Sequence, residues 1–479
     1  MYENFESRYS YDTSNLDINY ARSFSPDKYE VTTPGPRALW YGGRPNPFDL
    51  WYTDWRDECL ANHLTCTIST AINPSPVFRI QGPDAKQFIS DSFVNNPEKF
   101  PIGSTKHGIM CIENGQIACH GVLLRTGEEE FESFWHAPYL QYAFTRKSYD
   151  AKIIDLTNHY FAFQMQGPRS LEILEEVTGE DLHDIQFCRF RESFINGHKV
   201  RILRFGMANC LGYEVHGETP YSKECYFRIM EIGQKYGIRP LGVIAYMMNH
   251  IAGGNMQMGH HFLSAASKDT AYVQYLKDMN ATWWLIDPGS DKEKANLPGS
   301  IGTDPEKRMF NPFEIGLGRC VNFTHEFIGK EALLKYSKKQ TRTGVTLEWN
   351  AEDIMKVELS QLTPGEEPYQ PIDMLDFVRI VVSAPSCLQT NIVYDKDGNE
   401  IGCSMNRTQD VYHHATISLG SIDIHYAEVG TEVYILWGDP GTRQIKIRAK
   451  VAPTPYNRHL DNRTFDVETI PHIKMNGLK

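Results

Sequence analysis

Two carboxylates stand out by the residues around them. Glu314 lies inside the apolar run FNPFEIGL, is followed by Gly316 and Gly318, and precedes a helix-like restart at Lys330. Glu214 lies in GYEVHG, where strand alternation puts it on one face with Gly212 and His216 and turns Tyr213 and Val215 to the other. A carboxylate in apolar surroundings must be hydrogen-bonded or neutralised, so each is a structural acceptor or a receptor for a ligand rich in N–H donors. For Glu314 the cap or turn-acceptor role carries more weight. The small, polar face around Glu214 suits a ligand wall, or equally a solvent face.

Other reactive residue types form weaker patterns. Ten cysteines are scattered without a CxxC pair, as expected of reduced, buried small hydrophobes. His260-His261 and Cys119-His120 raise the possibility of a metal, but no HExxH or comparable ligand spacing follows, and no structural metal is expected. Asp395 to Glu400 superficially resembles a calcium loop; its glycine, Gly398, stands fourth rather than sixth, which fits a hairpin turn.

The elements that must position these groups can be read from repeated signals. FRIQGPDAKQFISDSF from Phe78 and FQMQGPRSLEILEEVTG from Phe163 each read as a strand, a Gln-Gly-Pro turn and an amphipathic helix with proline in its first turn. This is a duplicated unit. Asn114-Gly115 and Asn196-Gly197 sit between β-type runs and signal hairpins, so an α+β fold is favoured over a doubly wound parallel sheet. Beyond Leu333 short β-rich runs such as TGVTLEWN, ATISLGSID and TEVYILWG imply a small all-β, barrel-like domain.

The chain has 479 residues, of which 41% are hydrophobic, enough apolar surface for two or three packed domains. A formal net charge of −12 without a Lys/Arg-rich block argues against nucleic-acid or anionic-membrane partners. The polar, acidic N-terminus has no apolar signal region, and no stretch is apolar long enough to span a bilayer, so a cytoplasmic protein acting on small molecules is expected.

The order of motifs resembles the aminomethyltransferase (glycine-cleavage T-protein) family. The signature is Pro312 to Glu314, Gly316 to Gly318 and the helix start Phe327 to Leu333. Within that family the chain is most similar to the tetrahydrofolate-dependent aryl methyl ether O-demethylases. The similarity extends from about Trp40 to Tyr456 through WRDE at Trp55, both Gln-Gly-Pro units, RFGMANCLGYEVHG, PLGVIAYMMN, NPFEIGLG and APTPY. It implies three domains around a central folate site: an N-terminal arm over residues 1–54, a core of two interlocked α+β units over 55–340, and a β-rich domain over 341–479. Tetrahydrofolate is the implied co-substrate and methyl acceptor, and an aromatic methyl ether the implied donor.

The resemblance also implies roles. Glu214 would hydrogen-bond the pterin through two parallel N–H bonds, with Gln164 beside it. His216, His120 and Asn255 are the further implied folate contacts, and Tyr41, Thr67, Trp135 and His136 the implied substrate contacts. Tyr246 would face the reacting ether oxygen, as a donor whose acidity matches a phenolate leaving group of pKa about 10.

Three positions depart from the family pattern. His120 stands where aminomethyltransferases place an aspartate, which disfavours glycine-cleavage chemistry and its need for acid-base help. His136 stands where an arginine would grip an aryl carboxylate, and loses the bidentate fork. Asn255 replaces a tryptophan. Rival readings are a methylenedioxy, sulfonium or amine one-carbon donor, a non-catalytic folate binder, and a detached oxidase domain. The binder's Lys-Gly-Cys motif and the oxidase's GxGxxG loop are both missing.

Overall fold

A computed structural model describes residues 51–70, 76–157, 159–279, 297–373 and 388–473. Two sheets and a barrel organise them. The first sheet has six strands in the spatial order Ile238–Pro240, Cys66–Ser69, Tyr160–Gln166, Gly212–Glu218, His198–Leu203 and Phe190–Ile195. Only its first two strands run parallel. The second is an antiparallel sheet of five, in the order Ser104–Cys111, Ile117–Gly127, Glu130–Phe134, Val77–Gln81 and Lys152–Asp155. The strand Cys66–Ser69 belongs to the first sheet but precedes every strand of the second, so the two units are interlaced along the chain.

The Gln-Gly-Pro turns do the same job in both units. Gly82 and Gly167 have φ of +137° and +125°. A Cβ on Gly82 would lie 2.7 Å from the backbone of Ala151, and one on Gly167 would lie 2.5 Å from the Thr65 carbonyl oxygen. Each glycine thus lets a neighbouring chain pass against the end of the strand. The prolines are not in the first helical turn as expected. Pro83 and Pro168 form the turn before it, and the helices run over Ala85–Ser92 and Ser170–Thr178. Asn196 and Gly197, both at positive φ, close a two-residue hairpin between Ile195 and His198.

Six strands between Arg342 and Ala452 close into a barrel, as the β-rich sequence implied. Asp395 closes its hairpin internally, accepting from the N–H groups of Asp397 and Asn399 and from the Tyr426 hydroxyl, which leaves the loop a turn and not an ion site.

The helix Val243–Ala252 is buried at every residue and lies in a core shared with Ile109, Cys111 and Ile117 of the second sheet, Ala162 of the first, and barrel residues Cys403, Met405, Ile417 and Leu419. No side chain caps it from within, and the helix Trp55–Leu64 supplies what is missing. Glu58 accepts the N–H of Gly242, the N-cap residue, at 2.7 Å. Asp57 pairs with Arg239 at 3.0 Å just upstream. The WRDE motif is therefore a clamp on the start of the buried helix.

Candidate active site

The first sheet builds one wall of a cavity. Gln164 and Glu214 are directly opposite each other on neighbouring antiparallel strands. The Gln164 Nε2 donates to Glu214 Oε1 at 2.8 Å, and the His216 Nε2 donates to Oε2 at 2.9 Å. Behind them the Ala208 N–H donates to Gln166 Oε1, and the Gln166 Nε2 donates to Gln164 Oε1. This chain fixes the Gln164 amide with its nitrogen toward Glu214. Each Glu214 oxygen has one protein donor and keeps a free lone-pair direction, so the carboxylate can accept two further N–H groups from a ligand in the cavity.

The buried helix supplies the opposite wall. Tyr246 is only 4% exposed, lines the same cavity as Glu214, and has no hydrogen bond to its hydroxyl among the described residues. Burial, reinforced by the Glu214 charge, holds its phenol far above the ordinary tyrosine range. It is therefore a permanent hydrogen-bond donor with almost no tendency to give the proton up. Burial thus makes Tyr246 a weaker acid than a phenol in water. One turn on, His250 packs edge-on against the Tyr246 ring at 4.7 Å, and neither of its ring nitrogens has a partner.

The second sheet closes the cavity with His107, His120 and Trp135. The Met258 N–H donates to His120 Nε2 at 3.0 Å, so that nitrogen is unprotonated and the proton sits on Nδ1, 2.7 Å from His107 Nε2. Burial depresses His120 well below the usual histidine range and His107 to about 4. With both nitrogens engaged, His120 has no site left for moving a substrate proton. Trp135 is held at φ +71°, a strained backbone for an aromatic residue, against Gly121, where a Cβ would lie 2.0 Å from the Phe134 carbonyl oxygen.

Six of the ten residues named from sequence thus line one cavity: Gln164, Glu214, Tyr246, His120, Trp135 and Asn255. The Asn255 amide is spent on the Met207 carbonyl, an anchor for the loop after the helix. His216 stands behind Glu214 as its donor. His136 lies outside the cavity lining. It is fully buried, pushed down to about 4, and bonded through its two nitrogens to Ser133 Oγ and the Gly108 carbonyl, so it cannot reach an aryl carboxylate. Thr67 is likewise buried away from the lining, donating to Asn62 Oδ1 at 2.6 Å. Tyr41 lies outside the described residues.

Sequence reading missed His107, His250 and Gln257. His107 could have been found: His120 pairs with Ile109 across the hairpin, which makes His107 its diagonal neighbour. Glu314 is the turn acceptor anticipated, taking the Asn311 N–H at 2.9 Å, and Gly329 at φ +88° passes against the Ile112 carbonyl to start the helix Lys330–Ser337.

Among the described residues one group, Asp181, His183 and His472, converges closely enough to hold a metal ion. It is already satisfied by ion pairing. His183 donates to Glu175 and to the Ile470 carbonyl, and His472 bridges Asp181 and Glu468, so both rings need two protons.

Residues 29–275 match the GCVT N-terminal domain family. A sesamin methylene transferase from a Sinomonas species is 38% identical, over 88% of this chain and 93% of its own length. The chain belongs to the GcvT aminomethyltransferase family. Other GcvT relatives include a syringate O-demethylase from a Sphingobium species, 28% identical over 85% of this chain and 89% of its own. An aminomethyltransferase of Thermotoga maritima is 24% identical over 69% of this chain. The crystal structure of the glycine-cleavage aminomethyltransferase of Bartonella henselae superposes with a TM-score of 0.61 over 90% of this chain and 96% of that one, at 17% identity, and shares the fold. This GcvT protein is accordingly a tetrahydrofolate-dependent one-carbon transferase. The residues fit the group: a pterin presents adjacent N–H donors, and Glu214 has two vacant acceptor directions with Gln164 fixed beside it.

Proposed function

We propose that the protein is an O-demethylase that moves a methyl group from an aryl methyl ether to tetrahydrofolate, releasing a phenol. One observation carries this reading: the Tyr246 hydroxyl, unbonded among the described residues, shares a cavity with the Glu214–Gln164 pair. Tetrahydrofolate, when bound, supplies the nucleophilic nitrogen N5. Glu214 and Gln164 fix its ring. A bond from N5 to the methyl carbon would form as the ether C–O bond breaks with its electron pair going to oxygen. The Tyr246 hydroxyl donates a hydrogen bond to that oxygen as charge develops and keeps its own proton, and the proton lost from N5 would end on the phenolate, giving the phenol. The Phe134 and Trp135 side chains exclude water and give the donor's ring a flat wall. Holding two reactants in line is worth up to about 7 to 11 kcal/mol in favourable cases.

Residues 55–340 would carry the folate, with 341–479 closing the far side and 1–54 an arm. Among the described residues no helix is long and apolar enough to cross a membrane, and nine cysteines are free thiols, which supports assignment to the cytoplasm.

A second reading is favoured by the 38% identity to the sesamin methylene transferase: the donor is a methylenedioxy aromatic and the product a catechol. Incubating the protein with tetrahydrofolate and either methoxylated or methylenedioxy aromatics, followed by mass spectrometry of the folate, tests both. A 5-methyl product supports demethylation and a 5,10-methylene product the second reading. Unchanged folate with both panels rejects the proposal.

A further inference from the structure

The charges around the cavity constrain what can enter it. Among the described lining residues the single carboxylic acid is Glu214, and there is no lysine or arginine. The three imidazoles in the wall do not serve as cations. His120 cannot gain a proton on Nε2 without confronting the Met258 N–H, and a single proton already occupies the 2.7 Å gap to His107. His250 is fully buried and held down to about 3. His136, which replaces the residue that would have gripped an acid, is turned away into the second sheet.

An anionic donor would therefore bring a second carboxylate up to Glu214, whose one imidazole partner, His216, is already engaged with it, and no lysine or arginine among the described lining residues would meet the added charge. Such a group is strongly disfavoured. The cavity does offer neutral polar groups. Among the described residues the two His250 nitrogens and the Gln257 Oε1 are buried without a partner, the imidazole able to give and accept a hydrogen bond and the amide oxygen to accept one. Their neutrality suits phenol, ether or amide groups.

We propose that the one-carbon donor is an uncharged aryl ether, selected against aryl carboxylates by Glu214 and held by His250 and Gln257. This rests on the aryl ether reading above and narrows its substrate class.

The test uses matched pairs that differ in charge and hardly in shape: vanillate with vanillamide, and syringate with syringamide. Binding to the full-length, folate-loaded protein is followed by titration calorimetry, and turnover by mass spectrometry of the folate. The expected result is that each amide binds at least about tenfold more tightly than its acid. In Gln257→Arg, whose side chain is half-buried, the preference should fall or invert, with circular dichroism confirming the fold. Acids binding as well as amides, no member of either pair binding, or an unaltered preference in Gln257→Arg would overturn the proposal. Amides that bind selectively but never yield a modified folate would sink the demethylase reading and leave this one standing.

Discussion

The Glu58 carboxylate accepts the Gly242 N–H at 2.7 Å, tying one helix to the first turn of the helix that carries Tyr246. Burial raises the Glu58 carboxyl from an ordinary 4.5 to about 7. Its contribution to stability is therefore complete below pH 4.5 and is lost as the pH rises through 7, at a cost of roughly 3 kcal/mol. Thermal denaturation of the wild type between pH 5 and 8.5 should show this loss. Glu58→Gln, which cannot ionise, should have a flatter profile; identical slopes would mean that Glu58 is not the titrating group.

Glu214→Gln should weaken tetrahydrofolate binding by about 1 to 3 kcal/mol, because it removes the charge and places an N–H₂ where the pterin needs an acceptor. Calorimetry decides this. Equal affinity would place the pterin elsewhere.

Tyr246→Phe should leave folate affinity intact and lower turnover by roughly 10² to 10³, the usual effect of deleting a donor to a developing oxyanion. Since the Tyr246 phenol stays protonated throughout the accessible range, the wild-type rate should show no alkaline limb attributable to it. Unchanged turnover in Tyr246→Phe removes the residue from the mechanism.

His183 and His472 both gain carboxylate partners on folding, and both are raised above 6.5. Their hold on the segment around Ile470 is complete below pH 6.5 and is lost as the pH rises through the raised values. Amide exchange of residues 467–470, corrected for intrinsic rate, should be slower at pH 6 than at pH 8.5. Glu175→Gln, which removes the carboxylate partner of His183, should remove most of that difference.

The parts of the fold legible in the sequence are those governed by local backbone chemistry. Gly82 and Gly167 announce two equivalent turns because no other residue tolerates those φ values against a neighbouring backbone. Asn196-Gly197 announces a hairpin because both turn positions take positive φ, which asparagine and glycine tolerate best. The pairing of Gln164 with Glu214 was within reach because the two strands carry recognisable motifs. What stayed hidden depends on distant elements. His136 could not be placed, since its burial needs the Gly108 carbonyl from a strand before it. Likewise, nothing near Tyr246 in the sequence reveals how far its acidity falls, because the core that buries its helix is assembled from elements far apart along the chain.

The interlaced order of strands has a consequence for biogenesis. As the polypeptide leaves the ribosome, Cys66–Ser69 emerges with neither lateral neighbour made, and its parallel partner Ile238–Pro240 arrives only after the whole second sheet. One edge can pair once Tyr160–Gln166 is made, but the edge that faces Ile238–Pro240 stays open throughout that interval, inviting contact with other nascent chains. Chaperone demand during translation, and poor recovery of fragments ending before Ile238, are built into this topology.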